Sequence, residues 1–205
     1  PSGALDEPAA KEVLAGLDRF RSLVVGPGVG TDERTFKAVR TLVAGARVPV
    51  VVDADGLNAF GGHLEMLRER SLPTILTPHT GEYERLAGSA VGPDRVAAAR
   101  ELAARSGSVV LLKGRRTVVA NPDGRTAINV TGGPQLATAG TGDVLAGVIG
   151  ALVALGLPAW EAAVAGAWIH GRAASSGTGS GGGLVAGDLV DALPSVLAEL
   201  AESGV

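Results

Sequence analysis

The sequence contains no cysteine, which excludes a disulfide-linked scaffold and any metal site built on thiolates. This absence is also compatible with a reducing cytosol, and we expect a cytoplasmic protein. Aromatic residues make up only 3% of the chain, which argues against the stacking platforms that bind single-stranded nucleic acid. The net charge is −3, so no basic field draws the protein to nucleic acid or to an anionic membrane.

Long apolar runs and several catalytic motifs are also missing. The apolar stretch at residues 144–157 is shorter than the roughly 18–20 residues of a membrane helix, and Pro158 and Glu161 interrupt its continuation. We expect a buried core helix there. Neither a Gly-x-Ser-x-Gly elbow nor a Walker-type lysine is present, so hydrolase and P-loop classes have no support. His63 and His170 stand apart in sequence, and no metal site is predicted with certainty.

Short β-branched runs alternate regularly with longer alanine-rich segments. The runs have no polar alternation, which is typical of parallel strands buried between two layers of helices. The Asn-Pro-Asp-Gly sequence at residues 121–124 predicts a hairpin turn. We therefore predict a doubly wound α/β fold, with a mostly parallel sheet, helices on both faces and a small antiparallel edge hairpin. We expect residues 1–205 to form a single domain.

The boundaries of the predicted elements follow from these runs. Strands are predicted at residues 23–25, 48–52, 74–76, 109–112, 117–120 and 126–129. Helices are predicted at residues 32–44, 57–69, 81–86, 93–105, 142–155, 159–175 and 186–202. The glycine- and serine-rich residues 175–183 are predicted to be a loop between two helices.

Polar residues follow four of the predicted strands directly, where each strand ends. These clusters are residues 26–30, 53–58, 77–82 and 113–117. A fifth motif, Ala-Gly-Thr-Gly-Asp at residues 139–143, precedes the apolar helix. Ligands of open parallel sheets bind at the carboxyl edge of the strands, so we expect all five to meet at one cleft.

The fifth motif has the features of an anion-binding site. Gly140, Thr141 and Gly142 let the backbone approach a bound anion, and the free N–H groups of the following helix favour negative charge. Asp143 places a carboxylate beside this anion, where it can act as a base during group transfer. A helix start in which Asp143 serves only as a capping residue is the alternative interpretation.

The first two clusters leave more alternatives open. Residues 26–30 either approach a ligand closely or form a plain tight turn. Asp53, Asp55 and Asn58 could order the water ligands of magnesium or orient a hydroxyl. We favour Asp55 as the cap of the next helix and leave the role of Asp53 open.

The other two clusters contain candidate ligand-binding side chains. His79 could hydrogen-bond a substrate amide or phosphate, whereas Glu82 could simply cap a helix. Residues 113–117 bring Lys113 and two arginines to the same edge, and we favour phosphate binding over a solvated turn. Elsewhere, we interpret His170 as a packed helix residue and Asp188 as a helix cap.

Taken together, the ordered motifs resemble one family, the ADP/ATP-dependent NAD(P)H-hydrate dehydratases, which have a ribokinase-like fold. These motifs are GPGVG (26–30), DADGLN (53–58), TPHTGE (77–82), KGRRT (113–117) and NVTGGPQLATAGTGDVLAG (129–147). The resemblance implies a lyase that repairs hydrated NADH and NADPH at the expense of ADP, or ATP, with Mg²⁺. The nucleotide phosphorylates the hydrate, and elimination of phosphate restores the dihydropyridine; with ADP the other product is AMP.

The resemblance also implies roles for particular residues. Gly28 and His79 would contact the hydrated cofactor, and catalytic Asp143 would touch its reacting hydroxyl. The residues expected to bind the nucleotide are Lys113, Gly114, Arg115, Arg116, Thr117, Gly140, Thr141 and Gly142.

Family members commonly form homo-oligomers, often tetramers, and the resemblance implies a homo-oligomer here. They usually have further βα units before the GPG turn, and we expect residues 1–205 to lack these units. A small-molecule kinase of the same fold and a noncatalytic nucleotide-binding module are the alternatives to the dehydratase.

Overall fold

A six-stranded sheet, whose strand order follows the chain order, organises the computed structural model, which describes residues 4–176 and 183–202. The strands are β1 (Leu23–Val25), β2 (Val50–Val52), β3 (Thr74–Leu76), β4 (Val109–Leu112), β5 (Val118–Ala120) and β6 (Thr126–Ile128). The pairs from β1 to β4 are parallel, whereas β5 and β6 extend the sheet as an antiparallel hairpin. The predicted fold class is confirmed.

Helices cover both faces of this sheet. They are α1 (Glu7–Ala15), α2 (Glu33–Gly45), α3 (Asp55–Asn58), α4 (Glu65–Arg68), α5 (Thr80–Ala87), α6 (Arg95–Ser106), α7 (Thr141–Ala154), α8 (Ala159–Ser176) and α9 (Ala186–Glu202). Short 3₁₀ turns occupy Leu17–Arg19 and Pro134–Ala137. No helix within residues 4–176 and 183–202 is long and apolar enough to cross a membrane.

The two faces are covered by different parts of the chain. From β1 to β4, each strand lies beside the preceding one and always on the same side of it. Connections between parallel strands are right-handed, so the connecting helices α2 to α6 lie on one face of the sheet. Val50 and Val52 pack against that layer, whereas Val51 packs against α7 and α8 on the other face. Helix α9 packs outside α8. This arrangement brings the start of α7 to the carboxyl edge of the sheet.

The structure departs from the sequence prediction in two helical regions. The helix predicted at residues 57–69 is wrong, because α3 ends at Asn58, α4 begins only at Glu65, and two consecutive glycines, Gly61 and Gly62, lie between them. Helix α1 was not predicted, although Asp6 caps it with a hydrogen bond from the Ala9 N–H. The loop predicted at residues 175–183 lies largely outside the described residues.

Candidate active site

Three charged side chains from three strand ends meet at the carboxyl edge of the sheet. The Lys113 Nζ lies 2.7 Å from an oxygen of Asp53 and 3.5 Å from an oxygen of Glu82. Asp53 and Glu82 are both buried, and only about a fifth of the Lys113 side chain is exposed, at 19%. Strands β2, β3 and β4 are adjacent, so residues that follow them reach one another although Asp53 and Lys113 are 60 positions apart.

His79 begins α5 and is linked to the same cluster. Its Nδ1 accepts hydrogen bonds from the N–H groups of Gly81 and Glu82, at 2.9 and 3.3 Å. Glu82 in turn accepts the His79 N–H at 2.7 Å, which completes a capping box and confirms the expected capping by Glu82. Because Nδ1 is an acceptor, the neutral ring has its proton on Nε2. The His79 Nε2 lies 3.5 Å from an oxygen of Glu82, but the side chain is half exposed, so a ligand can also reach this N–H.

The start of α7 presents free backbone donors. Gly140 precedes the helix with φ +83°, a left-handed conformation that favours glycine. The buried Thr141 hydroxyl donates to the Leu136 carbonyl at 2.7 Å, and the Thr141 N–H donates to the Thr138 carbonyl at 3.3 Å, so neither group is left for a ligand. Among the described residues, the N–H groups of Gly142 and Asp143 have no acceptor, and the exposed Asp143 carboxylate has no partner.

The α7 start and the buried ion pair lie against each other. A Cβ added at Gly142 would lie 3.5 Å from the Lys113 Nζ and 3.8 Å from the nearer oxygen of Asp53. Free N–H groups, a helix dipole and an ammonium group therefore converge on one point beside Asp143. Such a combination of donors and positive charge fits a phosphate group.

His170 on α8 supports the first turn of α7. It is buried, and its Nε2 lies 2.8 Å from the Thr141 carbonyl, to which it donates. Burial is the main cause that lowers the pKa of His170; the positive charge of Lys113 lowers it further, whereas the bond to Thr141 raises it. His170 is packed, as expected. No local sequence pattern indicates its contact with residues 139–143, which we call the anion loop.

The loop at residues 26–30 is fixed to the turn after β2. A Cβ at Gly26, which has φ +133°, would lie 1.7 Å from the Asp53 carbonyl oxygen, so only glycine permits this approach. Asp55 accepts the Gly30 N–H at 3.1 Å. The expected capping by Asp55 is therefore wrong: α3 begins at Asp55 itself, Ala54 precedes it, and no side chain caps it. Space beyond Gly28 is open.

Within residues 113–117, only Lys113 contacts the buried cluster. Arg115 and Arg116 are exposed, and Arg116 lines a groove of about 500 Å³ with Val96, Val118 and Ile128. The Thr117 hydroxyl donates within its own turn, to the Gly114 carbonyl at 3.4 Å. Arg116 therefore faces a different surface from the Lys113 ammonium.

Arg95 at the start of α6 fixes the backbone of this segment and was not predicted. Its guanidinium donates to the Lys113 carbonyl at 2.9 Å and to the Leu112 carbonyl at 3.3 Å. A Cβ at Gly114 would lie 2.5 Å from the same guanidinium, which explains the glycine at that position. The residue is 18 positions away from Lys113 in sequence, so no local pattern could reveal the contact.

Residues 4–194 match the sequence profile of one family, described as NAD(P)H-hydrate dehydratase. The chain belongs to the NAD(P)H-hydrate dehydratase family. A bifunctional NAD(P)H-hydrate repair enzyme of Moorella thermoacetica is 43% identical over 98% of this chain and 39% of its own length. An ADP-dependent (S)-NAD(P)H-hydrate dehydratase of Neisseria meningitidis is 43% identical over 87% of this chain and 64% of its own. The chain thus spans about two fifths of the bifunctional relative's length.

A solved structure gives the same family and fold. The ADP/ATP-dependent NAD(P)H-hydrate dehydratase of Bacillus subtilis, co-crystallised with ATP and Mg²⁺, is 29% identical. It superposes with a TM-score of 0.78 over 95% of this chain and 76% of its own. The predicted family resemblance and ribokinase-like fold are confirmed, whereas the roles of individual site residues stay predictions.

Proposed function

We propose that this dehydratase-family chain restores NADH and NADPH from their hydrated forms, with ADP as the phosphoryl donor and AMP and phosphate as products. One observation supports this most directly: Gly142, whose N–H is free like that of Asp143, lies against the Lys113 ammonium, and the next residue, Asp143, has an exposed carboxylate. Hydrate repair is named in the relatives of Moorella and Neisseria, and the latter is ADP-dependent.

The first proposed step transfers a phosphoryl group to the hydrate. Asp143 accepts the proton of the hydroxyl as its oxygen attacks the β-phosphorus of ADP, and the bond from that phosphorus to AMP breaks. The N–H groups of the α7 start and the Lys113 ammonium stabilise the charge on the moving phosphoryl group. Gly140 and Thr141 contribute backbone shape to this loop, and we propose that the exposed Arg115 and Arg116 turn toward the nucleotide when it binds and add positive charge there.

The second proposed step eliminates phosphate from the phosphorylated hydrate. The ring nitrogen's electron pair expels phosphate, the carbon next to the one that carried it loses a proton to the released phosphate, and the double bond of the dihydropyridine forms between these two carbons. We propose that His79 contacts the hydrated cofactor through its Nε2–H and that Gly28 lines the same open edge. Since Nδ1 is occupied by the α5 cap, His79 acts as a donor and not as the base for the lost proton.

The part of the chain that the structure describes contains no preformed cation site. Within residues 4–176 and 183–202, no group of three or more His, Asp or Glu side chains could hold a metal. Mg²⁺ would therefore be held mainly by the nucleotide's own phosphates, where it would neutralise their charge.

We also propose that residues 1–205 act as one cytoplasmic domain and assemble as a homotetramer. A mass measurement in solution tests the assembly.

The product of the reaction decides between this proposal and its alternatives. Purified protein is incubated with hydrated NADPH and ADP, and the near-ultraviolet absorbance of the reduced nicotinamide is followed. We expect the absorbance to recover, with AMP and phosphate released in equal amounts and no recovery without nucleotide. A small-molecule kinase would instead leave a stable phosphorylated product, and a noncatalytic module would bind ADP without turnover. Replacing ADP by ATP measures the donor preference.

A further inference from the structure

The turn after β2 presents two carboxylates that bond to different halves of the candidate site. Asp53 pairs with Lys113 at 2.7 Å, on the side of the anion loop. Asp55, two residues later, accepts the Gly30 N–H at 3.1 Å, on the side of the loop that contains Gly28. Neither carboxylate caps a helix. A single turn therefore touches both the proposed nucleotide side and the proposed cofactor side.

The residue between the two carboxylates has a strained backbone. Ala54 has φ +48° and ψ −129°, and it is the one non-glycine residue with positive φ in the described ranges. Such a conformation is unfavourable for a residue with a Cβ and persists only where the surroundings enforce it. Gly26 and Gly56 pack closely beside it, since a Cβ on Gly56 would lie 2.8 Å from the Gly26 Cα.

The turn is also fixed by the backbone on both of its sides. The Asp53 N–H donates to the Val25 carbonyl at 3.1 Å, and the Asp53 carbonyl accepts the Gly56 N–H at 3.0 Å. The two carboxylates on either side of Ala54 therefore bond to different neighbours, the buried Asp53 to Lys113 and the partly buried Asp55 to Gly30.

We propose that Asp53 and Asp55 are positioning residues for the two halves of the site. Asp53 holds the Lys113 ammonium against the α7 start and so sets nucleotide binding. Asp55 holds residues 26–30 and so sets binding of the nicotinamide cofactor. This inference rests on the proposed function for its choice of ligands, and neither carboxylate is proposed to touch a ligand.

The test measures the two ligands separately in two variants. Asp53→Ala is expected to raise the KM and the Kd for ADP by at least about tenfold, the effect of one lost charge-assisted hydrogen bond, with little change for the cofactor. Asp55→Ala is expected to raise the KM and the Kd for the cofactor, with little change for ADP. Asp55→Asn keeps an acceptor for the Gly30 N–H and is expected to restore cofactor binding. Asp53→Asn removes the charge that pairs with Lys113 and is expected to restore ADP binding only in part.

Two controls separate positioning from a loss of stability. Asp6→Ala removes a carboxylate that accepts a backbone N–H at the remote α1. It is expected to lower the melting temperature but to leave the KM for ADP and the KM for the hydrated cofactor unchanged. Binding of ADP and of NADPH, measured by calorimetry without turnover, makes the result independent of the proposed reaction. Equal changes for both ligands in both variants, or no change in either, would overturn the inference. Normal binding by the wild type without turnover would count against the proposed function alone.

Discussion

The two edges of the sheet bury positive charge in different ways. At the amino edge, Arg70 donates to backbone carbonyls at the end of α2 and before β2, namely those of Val43, Ala46 and Val48, and to the Thr74 hydroxyl. At the carboxyl edge, Lys113 pairs with carboxylates from two other strand ends. Each cation is partly buried, yet one is bonded to the backbone and the other to charged side chains.

This difference indicates that the amino edge stabilises the fold and that the carboxyl edge binds ligands. The carbonyls at the end of α2 have no partner inside the helix, so the Arg70 bonds satisfy groups that would otherwise cost stability. The carboxyl edge does the opposite, since the N–H groups of Gly142 and Asp143 are left without acceptors among the described residues. We infer that substitutions at the amino edge change stability, whereas those at the carboxyl edge change binding and turnover.

The largest expected change in stability comes from Arg70→Met. It removes every bond to the α2 carbonyls, and we expect the free energy of unfolding to fall by about 2–4 kcal/mol. Denaturant unfolding measures this loss, and kcat and KM of the folded protein are expected to stay unchanged. Arg21→Met, at an exposed arginine, is the control and should stay within about 0.5 kcal/mol. A fall in kcat with Arg70→Met would contradict the inference that the amino edge affects stability alone.

His79→Asn sharpens the comparison at the carboxyl edge. Asparagine is a good N-cap, so α5 and its stability are preserved, but the Nε2–H donor is lost. We expect the KM for the hydrated cofactor to rise about tenfold, the effect of one hydrogen bond of about 1.4 kcal/mol, with the KM for ADP unchanged. His79→Ala, which removes both functions, should also lower the melting temperature. A normal KM in His79→Asn would leave the histidine with a capping role only.

His170 makes a pH-dependent contribution to stability. Its pKa in the folded protein is lowered by burial, so the unfolded chain binds the proton first as the pH falls. The stability contributed by the neutral ring is complete above the ordinary pKa of histidine and is lost as the pH falls from there toward the lower folded-state value. In His170→Gln, the free energy of unfolding should depend less on pH in this range, and denaturant titrations between about pH 5 and pH 8 measure it. The same pH dependence in both proteins would show that His170 does not contribute.

The smallest expected effect comes from Ala54→Gly. Glycine adopts the conformation of Ala54 without strain, although its greater freedom in the unfolded chain offsets part of the gain. We expect the free energy of unfolding to rise by up to about 1 kcal/mol, measured by denaturant titration. A clear loss of stability would show that Ala54 is not strained in solution.

Local sequence patterns were sufficient for the sheet and for the anion loop. Strands β1, β3 and β4 have the predicted bounds, because uninterrupted apolar runs can be buried only between two layers. The convergence of Lys113 with residues 139–143 followed from the rule that strand ends share an edge. These features depend on residues that are neighbours in sequence or on a topology that the alternation of elements predicts.

Contacts made by long side chains, and the path of a strained backbone, were not predictable. Arg70 and Arg95 reach carbonyls 17 to 27 positions away, and nothing next to them in sequence marks those partners. Asp55 is predicted as a cap because it directly precedes the helix predicted at residues 57–69, but it lies inside the short α3 and its carboxylate accepts the Gly30 N–H. Such contacts depend on tertiary packing, which outweighs local preference.

The most direct test of the account replaces Asp143 by Asn and measures two quantities on the same protein. The free N–H groups and Lys113 are unchanged in this variant, so we expect the Kd for ADP to stay within about threefold of the wild type. We expect turnover of hydrated NADPH to fall by about 10²–10⁴-fold, because the proton acceptor is gone. Turnover close to that of the wild type, with ADP binding intact, would contradict the assignment of the reaction to this edge of the sheet.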